Sequence, residues 1–143
     1  MRVHEVHPAI AHFPVALLPT AVAADLVGRL TDDASLMDMG RQLMPLAAAS
    51  VAAAGIAGFA AQEAVRTSDV SHDILVTHRT LNIGLLALSV GLAAIRARSR
   101  RPSAGYLLAG LAGAALVTYS SYLGGRMVYA HGVGVEPADW GSA

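Results

Sequence analysis

Four apolar runs, each close to the roughly 20 residues that an α-helix needs to cross a lipid bilayer, constrain this sequence more than any other feature. They cover about residues 8–30, 42–62, 79–97 and 103–129. Charged residues make up only 14% of the 143-residue chain, whereas a typical soluble domain has about 25%. We therefore predict an all-α integral membrane protein in which residues 1–143 form one transmembrane domain, a four-helix bundle of up-down-up-down topology in the lipid bilayer.

Overall charge and cysteine content exclude several classes of function. The chain has ten acidic and ten basic residues, so it lacks the basic surface by which proteins bind nucleic acids. It has no cysteine, which excludes disulfides, thiolate metal sites and cysteine-bound iron–sulfur clusters within this chain. Any metal bound here must therefore be held by imidazole nitrogen or by oxygen.

The distribution of arginine predicts how the bundle is oriented. Four arginines lie at the end of the third run and in the loop that follows it, at positions 96, 98, 100 and 101. Short loops rich in arginine stay on the cytoplasmic side of a membrane, so this loop should face the cytoplasm. Because the chain crosses the membrane four times, both termini should then lie outside, on the periplasmic side of a bacterial cytoplasmic (inner) membrane.

All six histidines fall at the ends of the apolar runs on that predicted outer side: His4, His7, His12, His72, His78 and His131. His12 and His78 lie about one turn inside their runs, so we expect both imidazoles to be removed from water and directed into the bundle. On a helical projection, His12 shares a face with Val15 and Pro19. For each histidine, the alternative interpretation is an interfacial side chain that bonds a carbonyl group or water.

The third run carries a polar stripe at helical spacing, and the fourth carries an aromatic one. The members of the first stripe are His78, Asn82, Ser89 and Arg96. The members of the second are Tyr119, Tyr122, Arg126 and Tyr129. Because lipid offers polar groups no partner, the stripe on the third run should face the bundle interior, whereas the aromatic stripe is typical of an interfacial belt. Asp25 and Arg29, in the first run, are four residues apart and should pair with each other.

Three motifs give the chain a resemblance to a known family. They are HPAIAHFPVALL at residues 7–18, HRTLN at residues 78–82 and GGRMVYAHGVGV at residues 124–135. Together they resemble the predicted bacterial membrane proteins of domain-of-unknown-function family 2231. The resemblance implies four transmembrane helices, and it matches His7, His12, His78 and His131. Some resembling chains are fused to a Rieske-type iron–sulfur domain, which implies electron transfer and a redox partner of that type, but no established activity comes with the family.

Our leading hypothesis is a small b-type cytochrome that holds one or two haem b groups near the outer face and transfers single electrons. Neutral imidazoles from two helices can ligate haem iron axially without any cysteine. We expect His12 and His78 to form the first axial pair, with His7 and His131 as alternates or as a second pair. The haem propionates need cations at the membrane edge, a role that suits Arg79 and Arg126, and Asn82 and Tyr122 complete the predicted cofactor site.

Two further hypotheses remain open. Three or four of the same histidines could bind Zn²⁺ or Cu²⁺, with Glu63 or Asp69 as an oxygen ligand. The chain could instead be a cofactor-free scaffold or accessory subunit, in which faces rich in alanine and glycine pack against partner helices or against further copies of itself. Enzymatic hydrolysis has the least support, because no serine or acid is paired with a histidine at a fixed spacing.

Overall fold

Four long α-helices make up the bundle in the computed structural model, which describes the backbone of residues 3–62 and 69–133 and the side chains of residues 7–62 and 72–133. They are α1 (Val3–Thr31), α2 (Ala34–Gln62), α3 (Asp69–Arg98) and α4 (Ala104–His131). Each is long and apolar enough to cross a membrane. The prediction of an all-α, four-helix membrane protein is confirmed.

The helices extend beyond the apolar runs that predicted them, most clearly between α1 and α2. Only Asp32 and Asp33 separate these two helices, and Asp32 adopts a left-handed backbone conformation with φ of 57°. The Asp33 carboxylate then accepts the backbone N–H groups of Ser35 at 2.8 Å and Leu36 at 3.2 Å, which caps the start of α2. Residues 34–41, which lie before the predicted start of the second helix at residue 42, are therefore helical although several of them are charged or polar.

The helices pack in a ring, in which each contacts the helices before and after it and α4 closes against α1. Consecutive helices are antiparallel, so α1 and α3 run in the same direction and lie diagonally across the bundle. No backbone contact joins these two diagonal helices in the described part of the chain. Any link between α1 and α3 must therefore be made by long side chains that meet in the bundle interior.

An apolar core fills the middle of the bundle, with contributions from all four helices. Its largest fully buried apolar members are Leu18, Val22, Met44, Leu85 and Leu92. On α3, the polar Ser89 and Arg96 are also fully buried, on the same face as Leu85 and Leu92. The prediction that the polar stripe of the third helix faces inward is thus confirmed.

Candidate functional site

Two histidines from the diagonal helices meet in the bundle interior, at the end where α1 and α3 begin. The ring centroids of His7 and His78 are 6.4 Å apart, and the ring planes are nearly perpendicular at 80°. The Nδ1 of His7 lies 3.0 Å from the carbonyl oxygen of Ala54 on α2, and the Nδ1 of His78 lies 2.9 Å from that of Ser120 on α4. We call this part of the bundle the histidine end.

These hydrogen bonds place a proton on Nδ1 of both imidazoles. A carbonyl oxygen can only accept, so Nδ1 carries the proton and donates in each ring. The lone pair of each neutral imidazole then lies on Nε2, which is the atom that a metal binds when the other nitrogen is held by a carbonyl group. His7 and His78 therefore each present a metal-ligating nitrogen in a fixed tautomer.

A second set of polar groups holds His78 in place. The side-chain amide of Asn82 donates to the backbone oxygen of His78 at 2.8 Å and to the hydroxyl oxygen of Ser120 at 2.7 Å. That hydroxyl oxygen lies 3.0 Å from Nδ1 of His78. The sequence predicted Asn82 as a cofactor-binding residue. In the structure its amide binds Ser120, which in turn contacts Nδ1 of His78, so Asn82 helps to orient the imidazole.

Glycines on α2 and α4 make room for the two imidazoles. A Cβ atom added to Gly58 would lie 3.0 Å from Cε1 of His7, and one added to Gly124 would lie 3.6 Å from Cε1 of His78. The first distance is too short for the ring to stay where it is. Gly58 therefore lets His7 lie against the backbone of α2, and every helix of the bundle contributes to the site.

His12 does not take part, and the prediction that it faces the interior is wrong. Its side chain is exposed, and its Nδ1 donates to the carbonyl oxygen of Pro8, in its own helix, at 2.7 Å. Five residues separate His12 from His7, which is a rotation of about 140° around the helix axis. His7 shares the interior face of α1 with Leu18, so His12 must lie on the face that lipid covers.

The other predicted cofactor residues lie away from the imidazole pair. His131 ends α4 eleven residues beyond Ser120, a distance of about 16 Å along the helix. Its Nε2 is enclosed and has no hydrogen-bond partner among the described residues. Arg79, Tyr122 and Arg126 are exposed on the outside of the bundle. His4, Glu63 and the side chain of Asp69 lie outside the described residues.

A metal site built from three or four protein ligands is not formed in the described part of the chain. Within residues 7–62 and 72–133, no three side chains of histidine, aspartate, glutamate or cysteine lie close enough together to hold one ion. The two imidazoles of His7 and His78 are what the fold brings together.

A second buried polar cluster, at the opposite end of the bundle, links the same two diagonal helices. Arg96 donates from Nε to both carboxylate oxygens of Asp25, at 3.0 Å each, and from Nη2 to one of them at 2.8 Å. The hydroxyl of Tyr106 donates to the same carboxylate at 2.8 Å. Asp25 and Arg96 are both 0% exposed. The expected partner, Arg29, is exposed instead, so the prediction that Asp25 pairs with Arg29 is wrong.

The sequence positions of the two clusters are related. Eighteen residues separate His7 from Asp25, and eighteen separate His78 from Arg96. Eighteen residues make about five turns of α-helix and a rise of about 27 Å, close to the roughly 30 Å of bilayer hydrocarbon. Each diagonal helix therefore carries both of its polar residues on one face, near the two borders of the apolar core.

Comparison with known proteins agrees with this architecture. No curated protein and no solved structure matches the chain. A family model described as "Predicted membrane protein (DUF2231)" matches residues 3–137, a range that contains all four helices and both buried polar clusters. The chain therefore belongs to the DUF2231 family of predicted membrane proteins.

Proposed function

We propose that this protein is a membrane b-type cytochrome in which His7 and His78 are the axial ligands of one haem b, and that its role is one-electron transfer. The observation that carries the proposal is the imidazole pair from opposite helices. Each ring has its Nδ1–H held by a carbonyl oxygen and its Nε2 left to bind a metal. Haem iron accepts such neutral imidazoles as axial ligands.

The separation of the two rings supports ligation of one iron between them. A metal bound through imidazole lies about 2 Å from the nitrogen and so roughly 3 Å from the ring centroid. Two imidazoles on opposite sides of one metal thus have centroids about 6 Å apart, and those of His7 and His78 are 6.4 Å apart. The perpendicular ring planes do not oppose ligation, because each ring can turn about its own bond to the metal.

The surrounding residues would set the ligand strength and orientation. When bound, haem supplies an iron that gains and loses one electron. The carbonyl oxygens of Ala54 and Ser120 hold both imidazoles in orientation with the proton on Nδ1, and a hydrogen bond to the second ring nitrogen makes imidazole a more basic ligand. Both histidines are half-buried, so the apolar helices around them reduce the contact of the site with water.

Among the described side chains, the same pair suits haem better than a bare metal. Zinc in proteins is held by three or four protein ligands, and the described side chains bring together two imidazoles. Haem would need only two protein ligands, which His7 and His78 would provide. An electron-transfer partner of Rieske type at the histidine end is part of the proposal, and it rests on the family resemblance alone.

Absorbance of the purified, detergent-solubilised protein, expressed with added haem precursor, tests the proposal. We expect a red protein whose reduced form has sharp α and β bands, as six-coordinate bis-imidazole iron gives. His7→Ala and His78→Ala should each lose haem or become five-coordinate. His12→Ala is the matched control, because it removes an exposed imidazole from the same helix, and its spectrum should match that of the parent.

A glycine series separates ligation from a purely structural role of the two histidines. In His7→Gly and His78→Gly, free imidazole added to the buffer should restore the six-coordinate spectrum. A colourless parent protein that takes up no added haemin would overturn the proposal. Loss of haem in His12→Ala with retention in His7→Ala would overturn the assignment of the ligands.

A further inference from the structure

We propose that the outer face of α4 at the histidine end binds an anionic phospholipid, with the phosphate on Arg126 and one acyl chain along the apolar residues of the same face. The side chain of Arg126 is exposed on a helix long and apolar enough to span a membrane. The site lies on the outside of the bundle, so the inference does not depend on the haem proposal.

The groove around Arg126 is formed by one face of one helix. Tyr122 lies four residues before Arg126 and Tyr129 three residues after it, so the three side chains share one face of α4. Gly125 and Ala130 complete the lining of the groove. Because these two residues are small, they do not fill the groove between the tyrosines, and a headgroup can approach the helix backbone.

The aromatic residues on this face are arranged as at a membrane interface. Tyr119 and Tyr122 stack with ring centroids 6.3 Å apart and an interplanar angle of 26°. Tyr119, Tyr122 and Tyr129 are 51%, 59% and 91% exposed. Tyrosine is enriched where the hydrocarbon meets the headgroups, because its ring favours lipid and its hydroxyl favours water. Arg126 therefore lies at the level where lipid phosphates are found.

The same face continues toward the bilayer centre as an apolar strip. Tyr122, Tyr119 and Ala115 follow Arg126 at helical spacing over about 16 Å toward the bilayer centre, and the exposed Leu111 lies about one turn further on. An acyl chain can lie along this strip while the headgroup stays at Arg126. Guanidinium binds phosphate through two parallel hydrogen bonds, which a zwitterionic lipid also offers. Among the described residues no acid pairs with Arg126, so an anionic lipid gains from this positive charge, whereas a zwitterionic lipid brings its own cation.

Native mass spectrometry of the full-length protein in detergent tests the inference, with phosphatidylglycerol as the probe and phosphatidylcholine as the comparison lipid. The parent should retain phosphatidylglycerol in preference to phosphatidylcholine. Arg126→Gln should weaken phosphatidylglycerol binding by about tenfold or more, the loss expected for a charge-assisted hydrogen-bonded contact. Arg98→Gln is the matched control, since it removes one exposed arginine from the opposite end of the bundle, and it should leave this binding unchanged.

Three outcomes would overturn the inference. Equal losses in Arg126→Gln and Arg98→Gln would mean that net charge, and not this site, attracts the lipid. Displacement of the lipid by millimolar inorganic phosphate would mean that the apolar strip holds no acyl chain. The parent protein could also have the mass of a dimer and become monomeric only in a Tyr119→Ala/Tyr122→Ala variant. That result would mean that a second copy of the chain, and not a lipid, covers this face.

Discussion

Asp25 and Arg96 form a buried ion pair whose two members depend on each other. Removing the charge of one partner leaves the other charged in the apolar interior, which typically costs about 3–5 kcal/mol. We therefore expect Asp25→Asn to lower the free energy of unfolding by about this amount, measured by thermal or denaturant unfolding in detergent. The double variant Asp25→Asn/Arg96→Met should recover part of the loss, because no charge is then left buried.

The exposed pair of Asp38 and Arg41 provides the control for that prediction. Its nitrogen and oxygen atoms are 3.1 Å apart, but both side chains are well exposed. Exposed ion pairs contribute at most about 1 kcal/mol, so Asp38→Asn should change stability little. If Asp25→Asn is no more destabilising than Asp38→Asn, the buried pair does not stabilise the bundle.

Gly40 shows how one missing methyl group makes the carboxylate site possible. A Cβ atom at position 40 would lie 2.5 Å from Cγ of Asp25, and the carboxylate is held by Arg96 and Tyr106 and cannot move away. We expect Gly40→Ala to lower the free energy of unfolding by about 1–3 kcal/mol through overpacking. Gly84→Ala, at a helical position with open space around it, should be neutral or stabilising by up to about 1 kcal/mol. Similar unfolding midpoints for the two variants would contradict this account.

At the scale of the helix, the sequence predicted which residues are helical better than it predicted which face is buried. On α3 the polar residues His78, Ser89 and Arg96 share one face, and a polar face in a membrane points inward. On α1 the apolar residues surround the whole helix, since lipid covers one side and the apolar core the other. Hydrophobic periodicity therefore could not distinguish the face of His12 from the face of His7.

One signal in the sequence could have located the interior face of α1. Asp25 lies within an apolar span, and a carboxylate there must face the interior and find a cationic partner. The residue about five turns before Asp25 on the same face is His7, and the residue five turns before Arg96 is His78. The pairing with Arg96 could not be read from spacing alone, because it joins helices that are distant in sequence.

At the scale of the whole molecule, the orientation in the membrane is still a prediction from the arginine loop. Because the chain has no cysteine of its own, labelling of a single introduced cysteine reports on which side of the membrane its loop lies, without background labelling. In intact cells, we expect Ser99→Cys to be protected from a membrane-impermeant maleimide and His72→Cys, at the histidine end, to be labelled. The reverse pattern would place the histidine end in the cytoplasm and would move any electron-transfer partner to that side.

The equal spacing of the two cross-bundle pairs limits how the length of this chain can change. One residue inserted between His7 and Asp25 would turn one of them by about 100° and shift it by about 1.5 Å relative to the other. The two helices could then keep only one of the two pairs, His7 with His78 or Asp25 with Arg96, in contact. The α1 residue of the other pair would face lipid or a different helix. Insertions and deletions are therefore tolerable in the connections between helices, whereas the interval within α1 and the interval within α3 can change only together, and only by a whole number of helical turns.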